Sequence, residues 1–231
     1  MTGHQLAQYR KEKKRSQVQT ARALGVSQPY LSLLEAGKRP LPERLQRKAA
    51  RFFDLPPTEL PPDLASGELP PVSDEQLASD LADLGYLGFS HLKRTRRRRK
   101  NPADVLLSAL NAPTRDARLV EALPWLVLSF PDLKWNEVSR VARMHDLQNR
   151  LGYVVSVARG LAERRRDEAT AAVLKHREAE LARSMLARED TLCNDTMTNA
   201  ERRWLTTNRP QNAKHWRILT SLSPKLVRYA N

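Results

Sequence analysis

Gln28, Tyr30 and Ser32 are the residues whose types and spacing could do the most specific chemistry in this chain. The Gln28 amide offers a donor and an acceptor side by side, the pattern that matches adenine N7 and N6–H in a DNA major groove. Ser32 follows four residues later on the same helical face, and the Tyr30 ring could pack on a thymine methyl. Basic side chains flank the group, with Lys11, Lys13, Lys14 and Arg15 on one side and Lys38 and Arg39 on the other. These would meet phosphates, which set position rather than sequence.

Other chemistries find less support. His4, His91, His145, His176 and His215 are scattered, with no His-Glu-x-x-His motif and no glycine-rich phosphate loop. His145 and Asp146 are the nearest approach to a ligand pair, but adjacent helical residues point in different directions. The pattern suggests no catalytic set, no metal site and no cofactor. Cys193 is the single cysteine, so neither an intramolecular disulfide nor a thiolate-rich zinc site can be built from this chain. A non-enzymatic, cytoplasmic protein is expected.

The elements that must position the reading residues are short. In SQVQTARALGVSQPYLSLLEAG, residues 16–37, Ser16 is placed to cap a first helix that runs through Ala21 to Leu24, and Gly25 makes the turn. Ser27 caps the second helix and Pro29 falls in its first turn, where no intrahelical N–H is needed. Val26, Leu31 and Leu34 point inward at helical spacing. Before this unit, residues 5–15 read as a helix with Leu6 and Tyr9 inside. After it, residues 43–53 carry the apolar stripe Leu45, Ala49, Phe52 and Phe53.

Over residues 5–60 the chain resembles the lambda repressor/Cro-like helix-turn-helix family, also called the xenobiotic-response-element type. Ser16-Gln17, Ala21, Leu24-Gly25-Val26-Ser27-Gln28, Leu31, Leu34-Glu35, Gly37-Lys38-Arg39 and the closing helix ending at Leu55 carry the resemblance. It implies a DNA-binding set of Gln17, Ser27, Gln28, Pro29, Tyr30, Ser32, Lys38 and Arg39. Gln17 would sit on a phosphate, Gln28, Tyr30 and Ser32 at base edges, and Lys38 or Arg39 on the flanking backbone. It also implies a structural salt bridge between Arg10 and Glu35. Thr20 stands where members usually carry leucine, so the core is smaller there or Val18 substitutes.

A net charge of +14 favours a polyanionic partner, most simply double-stranded DNA, although basic balance alone also suits an anionic membrane surface. The most apolar stretch, residues 119–130, is too short and interrupted to span a bilayer. Charge is uneven along the chain: residues 61–92 hold six acidic and no basic side chains, and residues 93–100 hold seven basic and no acidic ones. That run, Lys93, Arg94, Arg96, Arg97, Arg98, Arg99 and Lys100, reads as an arm that lies along phosphates or enters a narrow minor groove. A solvated linker, or docking on the acidic segment 63–83, are the alternatives.

The expected fold class is all-α. Residues 1–55 form the helix-turn-helix domain, 56–72 a Pro-rich linker, 73–100 a helix and the basic arm, and 101–231 a larger helical regulatory or interaction domain. Within the last, helices are expected at 102–110, at 114–129 with a kink or split at Pro124, and at 135–145 running on into 146–162. A long charged helix over 161–188 has a thin apolar stripe suited to an antiparallel hairpin or a dimer seam. Short helices at 198–206, 212–219 and 224–230 follow, with Trp204, Trp216, Ile218, Leu222 and Val227 placed to seal the bundle. Tyr86 and Phe89 would pack on the helical domain.

Three functions follow from this reading. The first is a sequence-specific transcriptional regulator, a homodimeric repressor in the prokaryotic cytoplasm and on the nucleoid when bound. The second is an antitoxin that autoregulates its operon and binds a toxin through the C-terminal domain. The third rests on Arg140 and His145, whose spacing resembles the Arg-x4–6-His signature of all-helical ribonucleases of the higher eukaryote and prokaryote nucleotide-binding class.

Overall fold

The computed structural model describes residues 1–60, 62, 67–93 and 100–227, and these are all-α apart from one pair of two-residue strands. The chain divides into two compact units, Met1–Asp63 and Leu64–Asn231.

The first unit contains α1 (Gly3–Glu12), α2 (Gln17–Leu24), α3 (Gln28–Glu35) and α4 (Glu43–Phe52), followed by a 3-10 turn at Pro57–Glu59. Thr2 and Ser16 each accept the backbone N–H three residues on, while Gln5 and Gln19 reach back to the cap, giving two complete capping boxes. Thr2 therefore starts α1 two residues ahead of the expected Gln5. Gly25 adopts the left-handed conformation at φ 71° and ends α2, and Lys48 Nζ donates to the freed Leu24 carbonyl at 3.0 Å. Ser27 caps α3, with Pro29 in its first turn.

Leu6, Leu24, Leu31, Leu34 and Ala49 are wholly buried between the four helices, with Val26 half-buried at the edge of that core. The start of α1 lies against the end of α3 so closely that a Cβ on Gly3 would come within 1.8 Å of the Leu34 carbonyl oxygen. Of the two alternatives at Thr20, Val18 is 66% exposed and does not substitute, so the smaller buried Thr20 side chain stands there itself. One expectation is corrected. Phe52 lies half outside, edge-on to buried Phe53, with the Arg15 guanidinium 6.0 Å from its ring centre.

The second unit packs α6 (Pro102–Leu110), α7 (Ala117–Ser129), α8 (Trp135–Met144) and α10 (Glu168–Ala182) around α9 (Gln148–Arg164), with α5 (Asp74–Leu84) against α6 and α7. Leu151, Tyr153, Val154, Val155, Val157 and Ala158 are all fully buried, so α9 is enclosed on every side and shows no polar face over that length. The Trp216 ring occupies the space that Gly152 leaves by lacking a side chain: a Cβ there would lie 2.2 Å from the indole. Tyr153 donates its hydroxyl hydrogen to the Leu222 carbonyl. The described part of the segment 73–100 that the sequence reading set apart, residues 73–93, is not a separate body: Leu77, Ala78, Leu81 and Tyr86 belong to the same core as α6–α10. Tyr86 packs on Trp125 at 5.0 Å and on Phe89 at 5.5 Å.

Several helix limits differ from expectation. The single helix over 161–188 is broken by Arg166, at φ 61°, and Asp167, which caps α10 by accepting from Thr170 N at 3.0 Å. α9 and α10 then fold into an antiparallel hairpin, bridged by Arg159 Nε to Glu178 at 2.7 Å and by Asn149 to the backbone of Leu186. Asp146, at φ 58°, similarly separates α8 from α9. α7 runs through Pro124 without interruption. Beyond α10 come β1 (Asp190–Thr191), α11 (Asn199–Asn208), α12 (Gln211–His215) and β2 (Ile218–Leu219), the two strands pairing in parallel. The expected helix at 212–219 thus gives way to a strand after His215; of the expected last helix at 224–230, residues 224–226 form only a turn and 228–230 lie outside the described residues. Trp216, Ile218 and Leu222 are buried, whereas Trp204 is not.

Both ends of the Pro-rich linker are anchored rather than free. Thr58 is buried in the first unit, and burial together with the Glu59 carboxylate pushes the Tyr9 hydroxyl above its ordinary pKa. In the second unit the Gly67 carbonyl accepts from His145 Nε2 at 2.6 Å and the Val72 carbonyl accepts from Arg115 at 2.6 Å.

Candidate nucleic-acid interface

A chain of hydrogen bonds runs from the core of the first unit to its exposed face. Arg10 Nε and Nη2 donate to the two carboxylate oxygens of Glu35 at 2.7 and 2.8 Å, a bidentate pair, and Arg10 Nη1 reaches the Arg15 carbonyl at 3.1 Å. Gln17 Nε2 donates to Glu35 Oε2 at 2.9 Å, and Gln28 Nε2 donates to Gln17 Oε1 at 2.7 Å. Each of α1, α2 and α3 contributes a member, so the chain fixes the three helices as well as the side chains. Burial pushes the Glu35 carboxyl upward, but the hydrogen bonds from Arg10 and Gln17, with the Arg10 and Lys11 charges, hold it below its ordinary value. Arg10 is raised, chiefly by its hydrogen bond to Glu35.

This arrangement leaves the Gln28 amide usable. A glutamine amide has two N–H donors and one carbonyl oxygen, and only one N–H is spent on Gln17. The remaining N–H and the oxygen are the pair that adenine N7 and N6–H require. Gln17 likewise keeps one N–H beyond its bond to Glu35, enough for a phosphate oxygen. Ser27 Oγ accepts from Tyr30 N at 3.4 Å and retains its own hydrogen to donate.

Pro29 is exposed, while Tyr30 and Ser32 are half-buried. Tyr30 packs on the edge of the core, so its ring is a fixed surface. Lys38 and Arg39 are exposed in the turn after α3, where Gly37 is at φ 68° and both N–H groups bond the Leu33 carbonyl. Lys11, Lys13, Lys14 and Arg15 are exposed at the end of α1. Lys48 and Arg47 of α4 are committed, to the Leu24 carbonyl and to Glu43 respectively.

The amide link between Gln17 and Gln28 was missed by sequence reasoning. A signal existed: each glutamine is the first residue of its helix, directly after a serine cap. Of the basic run, Arg94, Arg96, Arg97, Arg98 and Arg99 lie outside the described residues. Lys93 is exposed, and Lys100 Nζ is paired with buried Asp80 at 2.9 Å.

The remaining candidates have structural partners. His145 Nε2 donates to the Gly67 carbonyl, and Arg140 Nη1 reaches Met144 Sδ at 3.3 Å. Asp146 points elsewhere, to Arg188 at 3.2 Å. The Cys193 thiol is buried and pushed up to about 11, which removes it from thiolate chemistry at neutral pH. Among the described residues no three His, Cys, Asp or Glu side chains could hold a metal ion, and no helix is long and apolar enough to cross a membrane.

Residues 3–62 match the helix-turn-helix domain family. No curated protein and no solved structure matches the chain. With its caps, left-handed turn and glutamine pair on the same residues, the chain carries at its N-terminus a DNA-binding helix-turn-helix domain of the lambda repressor/Cro type.

Proposed function

We propose that the protein is a sequence-specific transcriptional regulator that represses as a homodimer, with α3 in the major groove. The observation that carries this reading is the Gln28 amide, held by Gln17 and Glu35 with one donor and one acceptor still open. Lys38 and Arg39 at one end and Lys11, Lys13, Lys14 and Arg15 at the other supply phosphate contacts around it. A single α3 presents few base-reading groups, so two copies on a palindrome supply the specificity that one lacks. The protein acts in the prokaryotic cytoplasm, at the nucleoid, and has no catalytic role.

Selection of bound fragments from random DNA, followed by sequencing, tests this directly. The expected result is a palindrome whose half-sites lie about 10 bp apart or a multiple of that. Enrichment of no sequence would overturn the reading, and a single asymmetric site would overturn the dimer. RNA cleavage by the intact chain that vanishes in His145→Ala would replace it with the ribonuclease reading. Neutralisation of a toxic neighbouring product through the second unit would make the regulator an antitoxin.

A further inference from the structure

The second unit holds a groove of about 400 Å³ between α7, α11 and the segment that follows β2. Its floor is apolar and buried, made by Leu192, Leu205, Leu219 and Leu222. At its mouth stand Trp204, 58% exposed, and Leu226, 53% exposed. An indole left open to water beside an apolar floor is an unsatisfied surface, and the size lies in the range that takes small organic ligands, about 300–1,000 Å³.

Charge decides what kind of ligand suits it. Two carboxylates line the groove, Glu121 on α7 and Glu201 on α11. Glu121 is half-buried and has no hydrogen-bond partner among the described residues. Glu201 lies three residues before Trp204 on the same helix, which makes the two side chains neighbours. Glu201 Oε2 accepts the N–H and the hydroxyl of Thr198, and these bonds hold its carboxyl below the ordinary value, so it remains ionised with Oε1 outside the cap.

Arg115 is the one cation among the described lining residues, and it is already neutralised. Its guanidinium donates to Asp74 at 2.7 Å and to the carbonyls of Val72 and Ser108, with the side chain only 6% exposed. The groove is thus locally anionic in a chain of net charge +14, which disfavours nucleic acid and other anions there.

We propose that this groove binds a small organic cation with an apolar body, its charge between Glu121, Glu201 and the Trp204 face and its hydrocarbon on the leucine floor. An indole face is the best aromatic partner for a cation, and a nearby carboxylate adds to the attraction. The site is independent of the DNA-reading surface and is measured with no DNA present, so the failure of one leaves the other standing.

Titration of the full chain with benzyltrimethylammonium, a fixed cation with an aromatic body, tests the proposal by calorimetry and by tryptophan fluorescence. Saturable binding is expected, weakened at least about tenfold by Trp204→Leu and by Glu121→Gln combined with Glu201→Gln. Glutamine at position 201 still completes the helix cap, so the double variant keeps α11. The neutral isostere neopentylbenzene and the anion phenylacetate should not compete. Absence of saturable binding, unchanged affinity in the double variant, or equal competition by phenylacetate would each overturn the assignment.

Discussion

Gln28 donates its amide N–H to Gln17 at 2.7 Å, and through Gln17 and Glu35 it is tied to the Arg10 guanidinium. The reading amide is therefore oriented by the core of its own domain before any DNA arrives. Gln28→Ala should cost about 1–3 kcal/mol at the preferred site and flatten the preference at one base position. Gln17→Ala should leave Gln28 in place but unoriented, giving a smaller loss at that same position. Titrations against sites carrying each base in turn separate the two, and an unchanged base preference in Gln28→Ala would remove that residue from sequence reading.

The same chain makes the first unit sensitive to acid. The folded Glu35 carboxyl titrates below its ordinary value of 4.5, so its stabilisation is fully present above that pH and is lost as pH falls through the lower folded value. Glu35→Gln should cost about 3 kcal/mol at neutral pH, because it leaves the Arg10 charge without its partner. It should also flatten the acid limb of the stability curve relative to the native chain. Thermal unfolding followed across a pH series provides the comparison, and parallel curves for the two proteins would show that Glu35 is not the group responsible.

The two units differ in how much of them the residues announce. In the first, each determinant is local: Ser16, Gly25 and Ser27 act within a few residues of themselves, and Leu31 and Leu34 lie on one helical face. Caps, turn and apolar spacing agree, and the reading surface follows from them. In the second, the helices are legible but their breaks are not, since the 165–167 turn rests on Arg166 at positive φ inside a stretch that otherwise favours helix. Arg150 looks like surface charge, yet it is buried and held by Asp190 at 2.8 and 2.9 Å and by the carbonyls of Leu110 and Ala112. Its partners lie about 40 residues away in either direction, and no periodicity points to them. The strands Asp190–Thr191 and Ile218–Leu219 are too short to show an alternation. The Gln17–Gln28 bond was missed for a milder reason: two exposed amides have no preferred partner until the turn brings them together.

Gly152 tests the packing of the second unit. A methyl group there would meet the Trp216 ring at 2.2 Å, and the ring cannot retreat because Trp216 is fully buried. Gly152→Ala gains helix propensity of about 1 kcal/mol, so a net loss of stability would have to come from this clash. The expected outcome is a lowered melting temperature for the second unit and a red-shifted Trp216 emission. DNA affinity per folded molecule should not change. Unaltered or raised stability would show that the indole has room to move.

The basic run can be separated from the reading helix by salt. Lys100 is paired with Asp80 at 2.9 Å and contributes little to phosphate binding. Replacing Arg94, Arg96, Arg97, Arg98 and Arg99 by glutamine removes most of the remaining charge while leaving that pair intact. Every phosphate that the variant no longer neutralises should make the slope of log affinity against log salt shallower by about 0.9. If the run lies along DNA, the slope should fall by about 2 to 4 while the base preference set by Gln28 is preserved, because backbone contacts carry no sequence information. An unaltered slope would exclude the arm from the complex. It would leave the charge as a solvated connection or as the counterpart of the acidic segment that already holds Lys100.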